Sequence, residues 1–153
     1  MRAVIQRVSE ANVVIDGKIN GAIGKGLVIL LGVNQNDDKS DAQVLAEKIS
    51  KLRIFSDEED RLNRSLIDEE GEVLVISNFT LYANYKHGNR PDYFESAKPP
   101  LADELYNYFV ECMKQKIGKV ETGIFGADMK LTLTNDGPVT IVMDSEVINK
   151  EKK

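Results

Sequence analysis

The sequence predicts an α+β fold around largely antiparallel β-sheets with two main helices, and three observations carry that reading. Apolar runs flank an Asp-Gly pair near the start, two stretches with three- and four-residue apolar spacing are separated by a β-branched run, and the last third alternates apolar with polar residues. There is no regular βαβ alternation and no glycine-rich strand-to-helix loop, so nothing points to a doubly wound nucleotide-binding sheet. The 153 residues are read as one domain, 1–153, ending in a mobile tail of a few residues.

Val13-Val14-Ile15 and Lys18 to Ile23 flank Asp16-Gly17, a two-residue hairpin signal because both turn positions need positive φ. Gly26 to Val33 is a continuous apolar run, short enough for a strand buried on both faces. Ala42, Leu45, Ile49 and Leu52 then recur at helical spacing, with Ser40 and Gln43 as the expected capping box. Asp57 to Asp60 reads as a solvated acidic loop. Val73 to Ile76 reads as a strand that continues through Ser77-Asn78-Phe79-Thr80-Leu81-Tyr82, where polar groups enter. A polar loop, Ala83 to Pro91, precedes Pro99-Pro100 and a second helix with Leu101, Leu105, Phe109, Cys112 and Met113 on one face. Met129, Leu131 and Leu133 alternate with polar residues, Val139 to Met143 is a further strand, and Asn135-Asp136-Gly137-Pro138 is expected to join them as a tight turn.

Composition removes several function classes. Apolar residues at 42% and charged residues at 29% describe a chain that folds rather than a disordered one. One cysteine and one histidine leave no intrachain disulfide and no zinc-type ligand set, and neither a metal nor a cofactor is expected. With no long apolar segment, the expected location is the cytoplasm, and neither a membrane nor DNA is an expected partner. The net charge of −5 argues against coating nucleic acid, so any RNA contact must be local. Its candidates are Arg2 and Arg7, Lys86 with Arg90, and the tail Lys150, Lys152 and Lys153. Cys112 sits on the apolar stripe of its helix and reads as a small buried hydrophobe; His87 is the one imidazole on which a nucleophile–base pair could be built.

Two segments interrupt apolar strands with polar groups. Ser77-Asn78-Phe79-Thr80 is either a place where backbone N–H groups leave a ladder and face a ligand, or a strand leaving the core with its hydroxyls paired. Gly137-Pro138 reads most simply as a turn, since glycine tolerates positive φ and proline cannot donate to a ladder.

The chain resembles the D-aminoacyl-tRNA deacylases, also called D-tyrosyl-tRNA deacylases, over nearly its whole length. The resemblance rests on Met1 to Val8, the Asp16-Gly17 hairpin, Arg53-Ile54-Phe55 and Ser77 to Tyr82. It continues through Gly88-Asn89-Arg90-Pro91, Gly123 to Ala127 and Asn135 to Thr140. It implies barrel-like sheets in an intertwined homodimer, with an active site at the subunit interface that receives the aminoacylated 3′ end of tRNA. In that family the reaction is hydrolysis of the D-aminoacyl ester, with glycine mischarged on alanine tRNA as a side substrate. Ser77, Asn78, Phe79 and Thr80 would form the catalytic segment, with backbone N–H groups on the ester carbonyl and help from the 2′-hydroxyl of the terminal adenosine. Thr80 would act as a positioning residue or as a nucleophile. A cis Gly137-Pro138 peptide, followed by Val139 and held by Arg7 across the interface, would meet the α-amino group and exclude L side chains. The family's common Ser-Gln-Phe-Thr-Leu is here Ser77-Asn78-Phe79-Thr80-Leu81, which leaves a backbone role intact and puts a role for the amide tip in doubt. Two alternatives remain at this level: a related deacylase with a trans Gly-Pro peptide acting on small L-aminoacyl esters, and a non-catalytic RNA-binding dimer.

Overall fold

The structure, a computed structural model, describes residues 1–152. Its strands are β1 (Arg2–Ile15), β2 (Lys18–Ile23), β3 (Gly26–Gly32), β4 (Phe55–Ser56), β5 (Leu62–Arg64), β6 (Glu72–Ser77), β7 (Val120–Thr122) and β8 (Lys130–Asp144). The helices are α1 (Lys39–Lys51), α2 (Leu101–Lys114) and the short α3 (Ser145–Ile148), with 3-10 turns at Phe79–Tyr82 and Lys150–Lys152.

β1 organises the sheet. Along one edge Arg2–Val8 pairs antiparallel with β3 and Ala11–Ile15 with β2, while the other edge pairs antiparallel with β8 along nearly its full length. β3 then pairs with β6, and β6 with β7, both in parallel. The Asn20 amide donates to the Thr122 carbonyl at 2.8 Å, so β7 curls back toward β2 and the sheet is nearly closed into a barrel. Asp16 and Gly17 take φ of 50° and 75°, the left-handed pair that the hairpin between β1 and β2 needs. At Gly26 a Cβ would stand 1.8 Å from the Glu72 carbonyl oxygen, so only glycine lets β3 start this close to β6.

Two apolar groups follow from this curl. α1 and α2 lay Leu45, Ile49, Phe109 and Met113 on one face, against Ala3, Ile5, Leu27, Ile29 and Leu31. Val8, Val13, Val28, Leu74 and Ile76 fill the other, under Leu131 and Leu133 of β8. β3 is therefore buried on both faces, as its unbroken apolar run requires.

Three local expectations are corrected. The strand through Ser77 ends there: β3 supplies no partner beyond the Leu31–Ser77 pair, and Phe79–Tyr82 coils into a 3-10 turn instead. The capping box of α1 is Asp38 with Asp41, not Ser40 with Gln43. Asp38 accepts from the Ser40 N–H at 2.8 Å and Asp41 accepts from the Asp38 N–H at 2.9 Å. Asn135 to Pro138 does not join two strands, because β8 runs unbroken from Lys130 to Asp144 with Gly137-Pro138 inside it.

Of the tail expected to be mobile, Lys150–Lys152 form the last 3-10 turn, and the Lys152 ammonium reaches the buried Asp41 carboxylate. Lys153 lies outside the described residues. Among the described residues no helix is long and apolar enough to cross a membrane.

Candidate functional site

β3 and β6 end together, and the Asn78 N–H makes the last ladder bond, to Leu31 O at 2.8 Å. The chain then turns over Gly32, where a side chain would meet the Asn78 carbonyl oxygen and Leu81 Cβ at 3.1 Å. Arg2 fixes the turn from outside: its guanidinium donates to Leu81 O at 2.9 Å and to Asp144 at 3.1 Å, and lies over the Tyr82 ring. A 3-10 turn leaves its first N–H groups without partners inside the helix, and those of Phe79 and Thr80 donate to no acceptor among the described residues.

Beside these groups opens a cavity of about 220 Å³. Ser77, Asn78 and Phe79 form one wall; Phe125, Gly126, Ala127 and Met129, on the segment entering β8, form the opposite one. Its floor includes Tyr106, whose hydroxyl donates to Val75 O at 2.8 Å and whose burial pushes its ionisation well above the ordinary tyrosine range. Tyr106 is therefore a neutral structural donor. No imidazole, thiol, amine or carboxylate lines the cavity. The Thr80 hydroxyl donates to the Asn78 side-chain carbonyl at 2.5 Å, so the shorter amide is spent locally on Thr80. Phe79 lines the cavity and Thr80 follows it just outside the lining; chemically, unpartnered N–H donors beside an apolar cavity can stabilise negative charge on a carbonyl oxygen.

Gly137 and Pro138 stand elsewhere. Gln6 pairs with Thr140 and Val8 with Asn135, so a single β1 residue, Arg7, faces four residues of β8. Residues 136–139 consequently bulge from the strand, with Gly137 at φ 127° and a cis Gly137-Pro138 peptide. The turn chemistry read from sequence thus makes a bulge, not a hairpin. The Asn135 amide ties its base by donating to Val139 O at 3.1 Å. Arg7, buried along most of its side chain, donates to Asp136 O and to Ile54 O, each at 3.0 Å. Arg7 therefore braces the bulge of its own chain, through two carbonyl contacts and an ion pair with the exposed Asp136 carboxylate at 3.7 Å.

The structure brings Ser77, Asn78, Phe79 and Thr80 together in one chain, and Gly137, Pro138, Val139 and Arg7 together in a second place. It does not bring the two groups together. The turn is anchored at Arg2 and the bulge at Arg7, five β1 residues apart, or roughly 17 Å at about 3.3 Å per residue. Sequence reasoning missed Tyr106, Phe125, Gly126, Ala127 and Met129 as lining residues; the glycines bracketing Phe125, Gly123 and Gly126, were the available signal. His87 is exposed, in the loop beyond the turn and outside the cavity lining, and Cys112 is buried, its thiol pushed up by burial.

The family model described as D-Tyr-tRNA(Tyr) deacylase matches residues 4–144. The chain is 53% identical to a D-aminoacyl-tRNA deacylase of Thermosipho melanesiensis over 149 residues, covering 97% of this chain and 99% of that one. It is 51% identical to a D-aminoacyl-tRNA deacylase of Parabacteroides distasonis over 152 residues, covering 99% and 100%. Among solved structures it superposes on a "c-Myc DNA Unwinding Element Binding Protein" with a TM-score of 0.89 at 36% identity, over 94% of this chain and 98% of that one. It also superposes on a "probable eukaryotic D-amino acid tRNA deacylase" with a TM-score of 0.79, where 16% identity over 94% and 98% of the chains speaks for the fold alone.

Proposed function

This chain belongs to the D-Tyr-tRNA(Tyr) deacylase family, and on that footing we propose that it hydrolyses D-aminoacyl-tRNA as a cytoplasmic homodimer, releasing the D-amino acid and free tRNA. The cavity beside Ser77 to Thr80 receives the esterified 3′ terminus. The N–H groups of Phe79 and Thr80 meet the ester carbonyl oxygen as water adds to its carbon. The bond to the ribose 3′-oxygen then breaks and that oxygen takes up a proton. One such donor is worth about 2.7–4 kcal/mol of transition-state stabilisation, and an aminoacyl ester is activated enough for that to count. With no protein base in the cavity wall, the neighbouring 2′-hydroxyl of the terminal adenosine relays the proton.

Selection by hand comes from the second copy. Its Gly137-Pro138 bulge, backed by Val139 and braced by Arg7, enters the mouth of the cavity and offers backbone carbonyls to the substrate's α-ammonium. A D side chain then points outward and an L side chain meets backbone. Glycine, having no side chain, passes, so glycine mischarged on alanine tRNA is a second substrate. The separation of bulge and cavity within one chain supports a site completed by a partner. The observation that carries the reading is the pair of unspent N–H groups at Phe79, on the wall of an apolar cavity, and Thr80, the next residue, in a chain of this family.

The test is release of amino acid from D-tyrosyl-tRNA and L-tyrosyl-tRNA by the wild-type chain. The D-ester is expected to be cleaved while the L-ester decays at the buffer rate. Turnover of small L-aminoacyl esters would replace this reading with the related L-acting deacylase. No turnover of any ester would leave a binding protein.

A further inference from the structure

The segment leaving the catalytic turn, residues 83–98, carries a surface that the reaction does not use. The N–H groups of Asn84 and Asp92 each donate to the other's carbonyl, at 2.8 and 2.9 Å, and close a tip over 85–91. The root of the segment is fastened to the cavity. Tyr93 meets the Phe79 ring edge-on at 5.0 Å, Ala97 N–H donates to Val33 O at 2.8 Å, and Ser96 and Ala97 are part of the lining. The tip therefore projects from the cavity's rim.

Its chemistry differs from the rest of the surface. Tyr85 and Phe94 are each 79% exposed and Phe79 is 58% exposed, and these are the strongly exposed aromatic side chains among the described residues. Lys86, Arg90 and Lys98 stand in the same segment, and among the described residues no carboxylate lies within ion-pair distance of any of them. The other basic candidates are largely committed: Arg2 to Asp144 and Leu81, Arg7 to Asp136 and Ile54, Lys152 to Asp41. In a chain of net charge −5, exposed rings interleaved with free cations suit single-stranded RNA, whose bases stack and whose phosphates attract.

We propose that this tip, with Phe94 beside its base, is the docking surface for the unpaired nucleotides immediately preceding the aminoacylated terminus, with Tyr85 and Phe94 stacking on bases and Lys86 and Arg90 holding phosphates. This rests on the cavity receiving that terminus. The consequence is a division of labour in which the cavity handles the ester and the tip supplies RNA affinity.

The test compares D-tyrosyl-tRNA with the D-tyrosyl ester of 3′-adenosine alone, using Tyr85→Ala with Phe94→Ala and, separately, Lys86→Ala with Arg90→Ala. On tRNA each lost aromatic is expected to raise KM about fivefold or more with kcat unchanged, while the minimal ester is hydrolysed as by wild type. The charge variant is expected to flatten the slope of log affinity for uncharged tRNA against log salt by about 1.4, roughly 0.7 per phosphate contact. Unchanged KM and salt slope, or equal losses on both esters, would overturn the proposal. So would loss of the dimer in the aromatic variant by sedimentation, which would assign the patch to copy–copy contact. Uncharged-tRNA binding is read without catalysis, so failure of wild type to cleave any ester is told apart from failure of the tip.

Discussion

At Thr80 the hydroxyl proton is spent on the Asn78 side-chain carbonyl, an acceptor too weakly basic to activate a nucleophile. Thr80→Val removes one neutral hydrogen bond, worth about 0.5–1.5 kcal/mol, so kcat/KM is expected to fall roughly two- to tenfold in single-turnover assays. A fall to the uncatalysed rate would make Thr80 the nucleophile. Gly137 is the opposite case: a Cβ there would lie 2.9 Å from both Arg7 Nη2 and Val139 Cγ2, at a φ of 127° that side chains disfavour. Gly137→Ala is expected to displace the bulge while leaving the sheet intact, lowering kcat/KM by about 100-fold, as misplacement on the scale of 1 Å can do. Circular dichroism and melting would stay close to wild type. Neither prediction was available from the bare residues. Asn78 was legible only as a departure from a family pattern, and its bond to Thr80 depends on a turn that local β-propensity does not announce.

At the scale of elements, α1 and α2 were legible because Leu45, Ile49, Leu105 and Phe109 fall at helical spacing and are buried at just those positions. β8 was not, because Asn-Asp-Gly-Pro suits a turn and a bulge equally well. What decides between them is the long-range pairing of Gln6 with Thr140 and Val8 with Asn135, which local composition does not encode. β3 and β6 make a sharper test of packing. With a Cβ at Gly26 driven into the Glu72 backbone, Gly26→Ala is expected to cost about 3 kcal/mol or more, a drop of roughly 6–12 °C in Tm by calorimetry.

The start of α1 gives a pH prediction. Burial opposes ionisation of Asp41, but hydrogen bonds from Lys152, Asn149, the Asp38 N–H and Ser145 outweigh it and hold its carboxyl at about 2. A folded-state value below the unfolded one gives stability that is complete above about pH 4 and is lost as pH falls toward 2. Urea midpoints of the wild type are therefore expected to drop across that window. Asp41→Asn is expected to be less stable at neutral pH and to show a shallower drop.

For the whole molecule, β8 is the long outer strand of the sheet, with one edge paired to β1, alternate residues exposed, and the Gly137-Pro138 bulge midway along it. The two halves of the proposed site are anchored at Arg2 and Arg7, roughly 17 Å apart along β1 at about 3.3 Å per residue, and the proposal joins the cavity of one copy to the bulge of another. Two variants, each spoiling one half, would put this on trial: Gly137→Ala in one chain and Ala127→Trp, which plugs the cavity, in the other. Co-expressed with different tags and purified over both, the mixed dimer keeps one intact site, pairing the Gly137→Ala chain's cavity with the Ala127→Trp chain's bulge. D-tyrosyl-tRNA hydrolysis by that dimer is the most direct measurement: the account predicts about half the wild-type rate from two subunits that are each at least about 100-fold impaired as homodimers. A mixed dimer no more active than its parents would place the whole site within a single chain and contradict the account.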